Sequence, residues 1–494
     1  MRRVVVIAPR EPGEARAAVA AIRALRASSA IGEVEVFATP EAGEVLGRAG
    51  ISAGPLAGGV RAVLSERSPA VAILLDSREA DALAAREAGV GLRMGWGARL
   101  GELTHAVQPA RFEGRVFRPD EERLYLDVVG LCGALRTEMP VERDSQPPEG
   151  RVLVRLPNWL GDLVQCEPLL SVFRGSTARL SLVGPDAAET LFGEVLKGAT
   201  WLSREEGARA WRGHELALLL DGSLRSAWRA ARARIERRVS WARGGKTPWL
   251  TAAVRPPREL GGAAIGCGRP GSYPRWLPRP FEVSVAELAS AAGIRVPSRG
   301  PRLVADDAGR RAAVEFLEAA GIGAREPYIL ATVGGRSGSA KAPPLETWRA
   351  LLVALRERSG VPVLLTCGPG EEWRMQALVQ LGLPEDVSRT PGAIGLGALL
   401  GLLERASAFV AADSGPRHLA AALGRPSVIL HGPTDPRHSS VSGGAIRTSS
   451  IEVPCGPCHL ERCPLSGPEH LACFGAGHAT SAAAMLCELL AEER

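Results

Sequence analysis

The chain has 494 residues, enough for two or three domains, and its 46% hydrophobic and 23% charged content is ordinary for a globular protein. A formal charge of +6 suits an acidic partner, but aromatics at only 4% and scattered basic residues argue against a nucleic-acid binder. No run nears ~18 apolar residues, which argues against a membrane span.

The first element predicted is a strand in "RVVVIAP" (3–9), with an apolar stretch shorter than the ~7 residues of a signal peptide. Nine cysteines, five of them scattered singly, fit a reducing compartment, so a cytoplasmic protein is expected. Residues 3–14 align without gaps on "RVLVRLPNWLGD" (151–162), with Glu14 on Asp162. Three further matches follow in order: 39–47 with 184–193, 73–96 with 218–241, and 103–107 with 250–254. The shift is far too long for a solenoid and marks a duplicated domain. The polar, proline-bearing stretch 141–150 reads as the linker.

In each copy short apolar strands alternate with helix-length amphipathic stretches, which predicts parallel sheets covered by helices. "RSAWRAARARIERR" (225–238) reads as an arginine-rich helix, facing anionic lipid, acidic acceptor sugars or simply solvent. From about residue 300 the alternation resumes. Helices are expected at 306–320, 345–358, 394–405 and from 415, with strands at 328–333, 361–367, 408–412 and 427–432. This is a second doubly wound domain, and ligands of such sheets gather beyond the carboxyl ends of the strands.

Three loops there carry chemistry. "GGRSGSAK" (334–341) offers close backbone approach, hydroxyls at Ser337 and Ser339, and the charge of Lys341; it is not a Walker A loop. "CGPGEE" (367–372) places a carboxylate where a ribose could be held, without choosing between Glu371 and Glu372. In "AADSGPRHLAAALGRPSVILHGPTDP" (411–436), Asp413 and Ser414 are expected to cap a helix whose start is an anion site. His418 follows one turn on.

"PNWLGD", "GSAK", "ADSGPRHLAAALGRP" and "HGPTDP", in that order over about 150–494, resemble the heptosyltransferases of lipopolysaccharide inner-core synthesis. The resemblance implies an inverting GT-B enzyme that uses ADP-L-glycero-β-D-manno-heptose as donor and needs no cofactor for transfer. It implies a glycolipid acceptor at the inner leaflet of the cytoplasmic membrane, with the enzyme cytoplasmic or peripheral there. Asp162 falls on the family's proposed general base. Ser337, Ser339 and Lys341 fall on its diphosphate loop, and Asp413, Ser414, Gly415 and His418 on the segment gripping diphosphate and heptose. Arg417 stands where methionine is frequent, His431 where phenylalanine is, and Ala342-Pro343 follow Lys341 where an aromatic is common close by. These departures bear on the sugar more than on the reaction. The domains implied are 1–140, a degenerate copy; 141–150, a linker; 151–297, an acceptor domain; and 298–494, a donor domain.

Glu14 in place of Asp162 and Arg10-Glu11 in place of Asn158-Trp159 mark residues 1–140 as a non-catalytic copy. Cys455, Cys458, Cys463 and Cys473, beside His459 and His470, include a C-x2-C pair that zinc could use, although the second pair is not tightly spaced. Two rival readings stay open: the same chemistry on another nucleotide sugar, and a non-catalytic GT-B scaffold. A serine hydrolase lacks its G-x-S-x-G elbow.

Overall fold

A computed structural model describes every residue except 1–2, 28–30, 32, 77, 91, 97–102, 104, 109–110, 113–114, 117–124, 126–127, 129–149, 175, 177, 194, 243–244, 257, 262–274, 277–278, 298, 324, 335–338, 385–386, 440–444, 476 and 493–494. Ser337 and all of the expected linker but Gly150 therefore lie outside the described residues. The chain forms two compact units, Met1–Gln146 with Glu215–Arg299, and Pro147–His214 with Gly300–Arg494.

In the first unit the strand Val4–Ile7 runs parallel to Val34–Ala38 on one side and Val71–Leu74 on the other. Its residues are buried on both faces. Val4 and Val6 join Ile22, Leu25 and Leu46 in one core, while Val5 and Ile7 join Val63, Leu64 and Ala85 in another. That two-sided burial is why a four-residue apolar run, with no polar alternation, is a central parallel strand. The sheet order is Gly54–Pro55, Val34–Ala38, Val4–Ile7, Val71–Leu74, Leu92–Trp96, His105–Gln108. Arg258–Gly261 then adds antiparallel to His105–Gln108, and Arg275–Trp276 adds to that.

The same unit holds a parallel ladder of Leu216–Leu219, Arg237–Trp241 and Ala252–Val254. Its helix Leu224–Arg232 begins where the Ser223 hydroxyl accepts from the Ser226 N–H at 3.1 Å. The helix ends at Arg232, short of the expected 238. Arg234 takes a left-handed φ of 59°, and Val239 and Trp241 are buried in the next strand.

In the second unit, Arg151–Arg155, Arg179–Val183 and Thr200–Leu202 form a parallel ladder. A separate parallel sheet runs Val387–Arg389, Val363–Thr366, Ile329–Thr332, Ala408–Ala412, Ser427–His431, Ile446–Ser450. The strands and helices expected beyond residue 300 are all present. Helix Leu345–Ser359 buries Trp348, Leu351, Leu352 and Leu355, and stops at Gly360, whose φ of 61° a side chain would resist. Helix His478–Glu492 buries Ala482, Leu486 and Leu489 in the same core. Among the described residues no helix is long and apolar enough to cross a membrane.

Candidate active site

In the second unit's sheet the order reverses between Ile329–Thr332 and Ala408–Ala412, which lie side by side with Ile329 opposite Ala408. Loops leaving two such strands frame the crevice of a doubly wound sheet. Here they bring together the sequence-predicted Lys341 and Asp413, with Nζ 3.7 Å from Oδ2. Lys341 is half-exposed, whereas Asp413 is buried.

Asp413 sits in a closed hydrogen-bond circuit. Arg417 Nη1 donates to Asp413 Oδ1 at 2.9 Å and to His431 Nε2 at 2.8 Å. Thr434 Oγ1 donates to Asp413 Oδ2 at 2.6 Å and lies 3.5 Å from His431 Nδ1. Since the Thr434 proton goes to the carboxylate, His431 must supply the last one from Nδ1, and the ring is neutral. Burial agrees, pushing the His431 imidazole down to about 4. Burial alone would raise the Asp413 carboxyl, but Arg417, Lys341 and the Thr434 hydroxyl together hold it well below the usual range. The arginine and histidine noted as departures are thus one polar unit with Asp413, buried together.

Ser414 precedes the helix Gly415–Ala422. Its hydroxyl turns back to the Ala412 carbonyl at 3.3 Å and does not cap, so the first turn keeps its N–H groups free of a side-chain cap. Gly415 is a close-approach glycine: a Cβ there would lie 2.9 Å from Leu160 Cδ2. Gly161 is another, since its Cβ would meet His418 Cδ2 at 2.6 Å and Nε2 at 2.8 Å. Two glycines therefore seat the turn 160–162 on the helix that follows Asp413.

Asp162 lies in the first turn of the short helix Leu160–Val164, whose N-cap is Trp159 with no side-chain cap. It is not a capping residue. Burial pushes its carboxyl up to about 6, against the pull of the Lys341 charge. The buried Arg155 shapes the approach, donating to Asn158 Oδ1 at 2.8 Å and the Val183 carbonyl at 3.2 Å. His418 is buried, and burial, with Arg417 adding to it, pushes its imidazole down to about 3. It is therefore a neutral partner of the 160–162 turn and carries no charge for an anion.

The lysine loop is braced at both ends. Arg374 Nε donates to the Val333 carbonyl at 2.9 Å and Nη2 to that of Pro343 at 2.6 Å. The Ala340 N–H donates to the Glu461 carbonyl at 2.7 Å, and that of Lys341 to Ser339 Oγ at 3.3 Å. Glu371 faces this loop. Its Oε2 accepts the Gly368 N–H at 3.0 Å, and a Cβ on Gly334 would collide with it. Sequence reading passed over Gln165, Arg374 and Arg155. Gln165 is marked only by falling one turn beyond Asp162, while buried arginines that hold backbone carbonyls look like surface arginines in a sequence.

The four tail cysteines are free thiols, Cys455 exposed and the others half-buried. Burial, together with Cys458, pushes the Cys473 thiol up to about 11. Among the described residues no group of three or more His, Cys, Asp or Glu is arranged to hold a metal.

Residues 278–468 match the model of glycosyltransferase family 9 (heptosyltransferase). The chain is 34% identical over 137 residues to lipopolysaccharide heptosyltransferase 1 of Pseudomonas aeruginosa, covering 28% of this chain and 38% of that protein. It is 25% identical over 310 residues to lipooligosaccharide heptosyltransferase 2 of Haemophilus ducreyi, covering 58% of this chain and 85% of that one. Among solved structures it is similar to ADP-heptose lps heptosyltransferase II of E. coli, at TM-score 0.51 and 19% identity, over 69% of this chain and 99% of that chain. That last likeness is one of fold, and it bears out the α/β, GT-B class expected from the sequence. Residues 278–468 are thus similar to glycosyltransferase family 9 (heptosyltransferase), within a chain whose fold is that of a GT-B glycosyltransferase.

Proposed function

We propose that this chain moves a heptose from ADP-L-glycero-β-D-manno-heptose to an acceptor sugar of the lipopolysaccharide inner core, inverting the anomeric centre. Asp162 is the general base. The observation that carries this reading is its carboxyl, half-buried, uncapped and raised to about 6, where a base is both ionised and basic near neutral pH.

In the step, the acceptor oxygen attacks the anomeric carbon as its proton passes to Asp162. The bond from that carbon to the diphosphate oxygen breaks, and its electron pair leaves with ADP. Lys341 and the uncapped start of helix Gly415–Ala422 answer the charge on the leaving group. Ser337 and Ser339 add hydroxyl donors, and Glu371 receives the ribose hydroxyls. Asp413, held by Arg417, Thr434 and His431, keeps the lysine loop and the helix start in register. Residues 151–297 present the acceptor, a glycolipid at the inner face of the cytoplasmic membrane, and 298–494 hold the donor. Residues 1–140, joined by the linker 141–150, are a copy without catalysis.

A calorimetric screen of ADP-heptose against ADP-glucose and UDP-sugars tests the donor. Preference for a UDP-sugar would retire the ADP-heptose reading while leaving the chemistry. Failure to bind any nucleotide sugar would favour a scaffold.

A further inference from the structure

The repeat supplies an internal control for one surface. Helix Leu224–Arg232 has a counterpart in Glu79–Glu87, and each follows a strand of the same unit, Leu216–Leu219 and Val71–Leu74. Position for position, the buried residues agree: Asp81, Ala82 and Ala85 in one, Ser226, Ala227 and Ala230 in the other. The outer faces do not agree. Glu79, Ala80, Leu83 and Glu87 in the first copy stand against Leu224, Arg225, Trp228 and Arg232 in the second.

One position is apolar in both copies, but Leu83 is half-buried where Trp228 is exposed. The scaffold therefore tolerates a carboxylate where Leu224 stands and needs nothing larger than leucine where Trp228 stands. Yet Leu224 is 49% exposed and Trp228 45% exposed, one helical turn apart. Charge changes as well: Arg232 stands against Glu87 and Arg225 against Ala80, while the exposed Arg86 of the first copy stands against Ala231. The Arg232 guanidinium lies 5.4 Å over the Trp228 ring. Between Gly222 and Ile235 the chain carries Arg225, Arg229, Arg232 and Arg234 and no acidic residue.

Leucine and tryptophan on an exposed turn, ringed by arginine, match the boundary of an anionic bilayer. Acyl chains accept the apolar pair, the indole lies at headgroup depth, and the guanidinium groups meet phosphate. A nucleic acid fits less well, because leucine gives a base nothing to stack on and the helix has a single aromatic residue.

We propose that the Leu224–Trp228–Arg232 face of this helix docks the chain reversibly on an anionic lipid surface. The proposal rests on this helix and its counterpart, independently of the transfer reaction.

The test is co-sedimentation of the full chain with phosphatidylcholine vesicles, with and without phosphatidylglycerol, at low and high salt. The wild type should pellet with the anionic vesicles only, and less at high salt. Leu224→Glu/Trp228→Leu/Arg232→Glu, which installs the first copy's residues, should partition at least about tenfold more weakly. This variant should fold, since the same residues already occupy the same positions of Glu79–Glu87; Trp228→Ala alone should lose part of the binding. Transfer to a soluble acceptor fragment should be equal in wild type and variants, so loss of lipid binding and loss of catalysis read out separately. Equal pelleting of wild type and triple variant, or no pelleting of the wild type, overturns the proposal. So does Trp228-dependent retention on polyuridylate RNA without vesicle binding, which would assign the face to nucleic acid.

Discussion

The Gln165 side-chain amide donates to His418 Nδ1 at 3.4 Å, and the same nitrogen lies 3.5 Å from the Gly161 carbonyl. A carboxamide nitrogen can only donate, so Nδ1 accepts and the neutral ring keeps its proton on Nε2, on the side of the ring that faces Gly161. The pair sets the height of the turn that carries Asp162. Gly161→Ala would drive a methyl group into the imidazole, an overpacking of about 1–3 kcal/mol, and should lower kcat more than it changes ADP affinity. Adding His418→Ala should restore part of the rate. Equal kcat in Gly161→Ala and wild type would show that the turn is not held by this contact.

Asp162→Asn should leave ADP affinity nearly intact and cut turnover by about 100-fold or more. Wild-type turnover should fall as pH drops through about 6, and the residual activity of the variant should lack that step. Stability moves the other way. The folded carboxyl titrates above its ordinary value, so its contribution is full below about 3.8 and is lost as pH rises through about 6. Asp162→Asn should therefore be more stable than wild type at pH 8, by at most about 2–3 kcal/mol, and equal to it near pH 4. Thermal melts at the two pH values check the sign.

Lys341→Ala should weaken ADP binding by roughly 1.5–3 kcal/mol, the value of one charge-assisted contact. Calorimetry with unchanged affinity would remove the 339–341 loop from the donor site.

The circuit around Asp413 predicts strong coupling between two substitutions. Arg417→Met leaves a buried carboxylate short of its main cation and should cost about 3–5 kcal/mol in denaturant melts. Asp413→Asn/Arg417→Met should recover much of that loss, because a buried ion pair replaced as a whole costs little. Additive effects of the two changes would mean that the circuit is not a unit.

Much of this was legible in the residues themselves. Apolar runs such as "AFVAA" and "SVILH" allow little but buried parallel strands, and Asp-Ser-Gly-Pro after one of them announces a helix start at the sheet's carboxyl edge. Arg417 was harder. Amphipathic reasoning sends an arginine outward, and only the tertiary placing of Asp413, one turn earlier, and His431, on the next strand, draws it in. Arg374 shows the same limit, since its partners are carbonyl groups of Val333 and Pro343, which every sequence possesses. Arg258–Gly261 carries no alternation at all. It is a strand because His105–Gln108 offers a free edge, a fact written about 150 residues away.

That edge has a consequence for the history of the chain. Residues 258–261 complete, in the opposite direction, a sheet whose centre is Val4–Ile7, so the first stretch is not an appendage that gradual shortening could remove. Any loss that reaches His105–Gln108 bares a row of unpaired backbone groups that would recruit another chain. For the same reason, residues 1–146 and 147–494 expressed as separate polypeptides should find one another and co-purify. The first stretch is held in place by backbone pairing, and it could be lost only together with the gain of a new margin for the sheet.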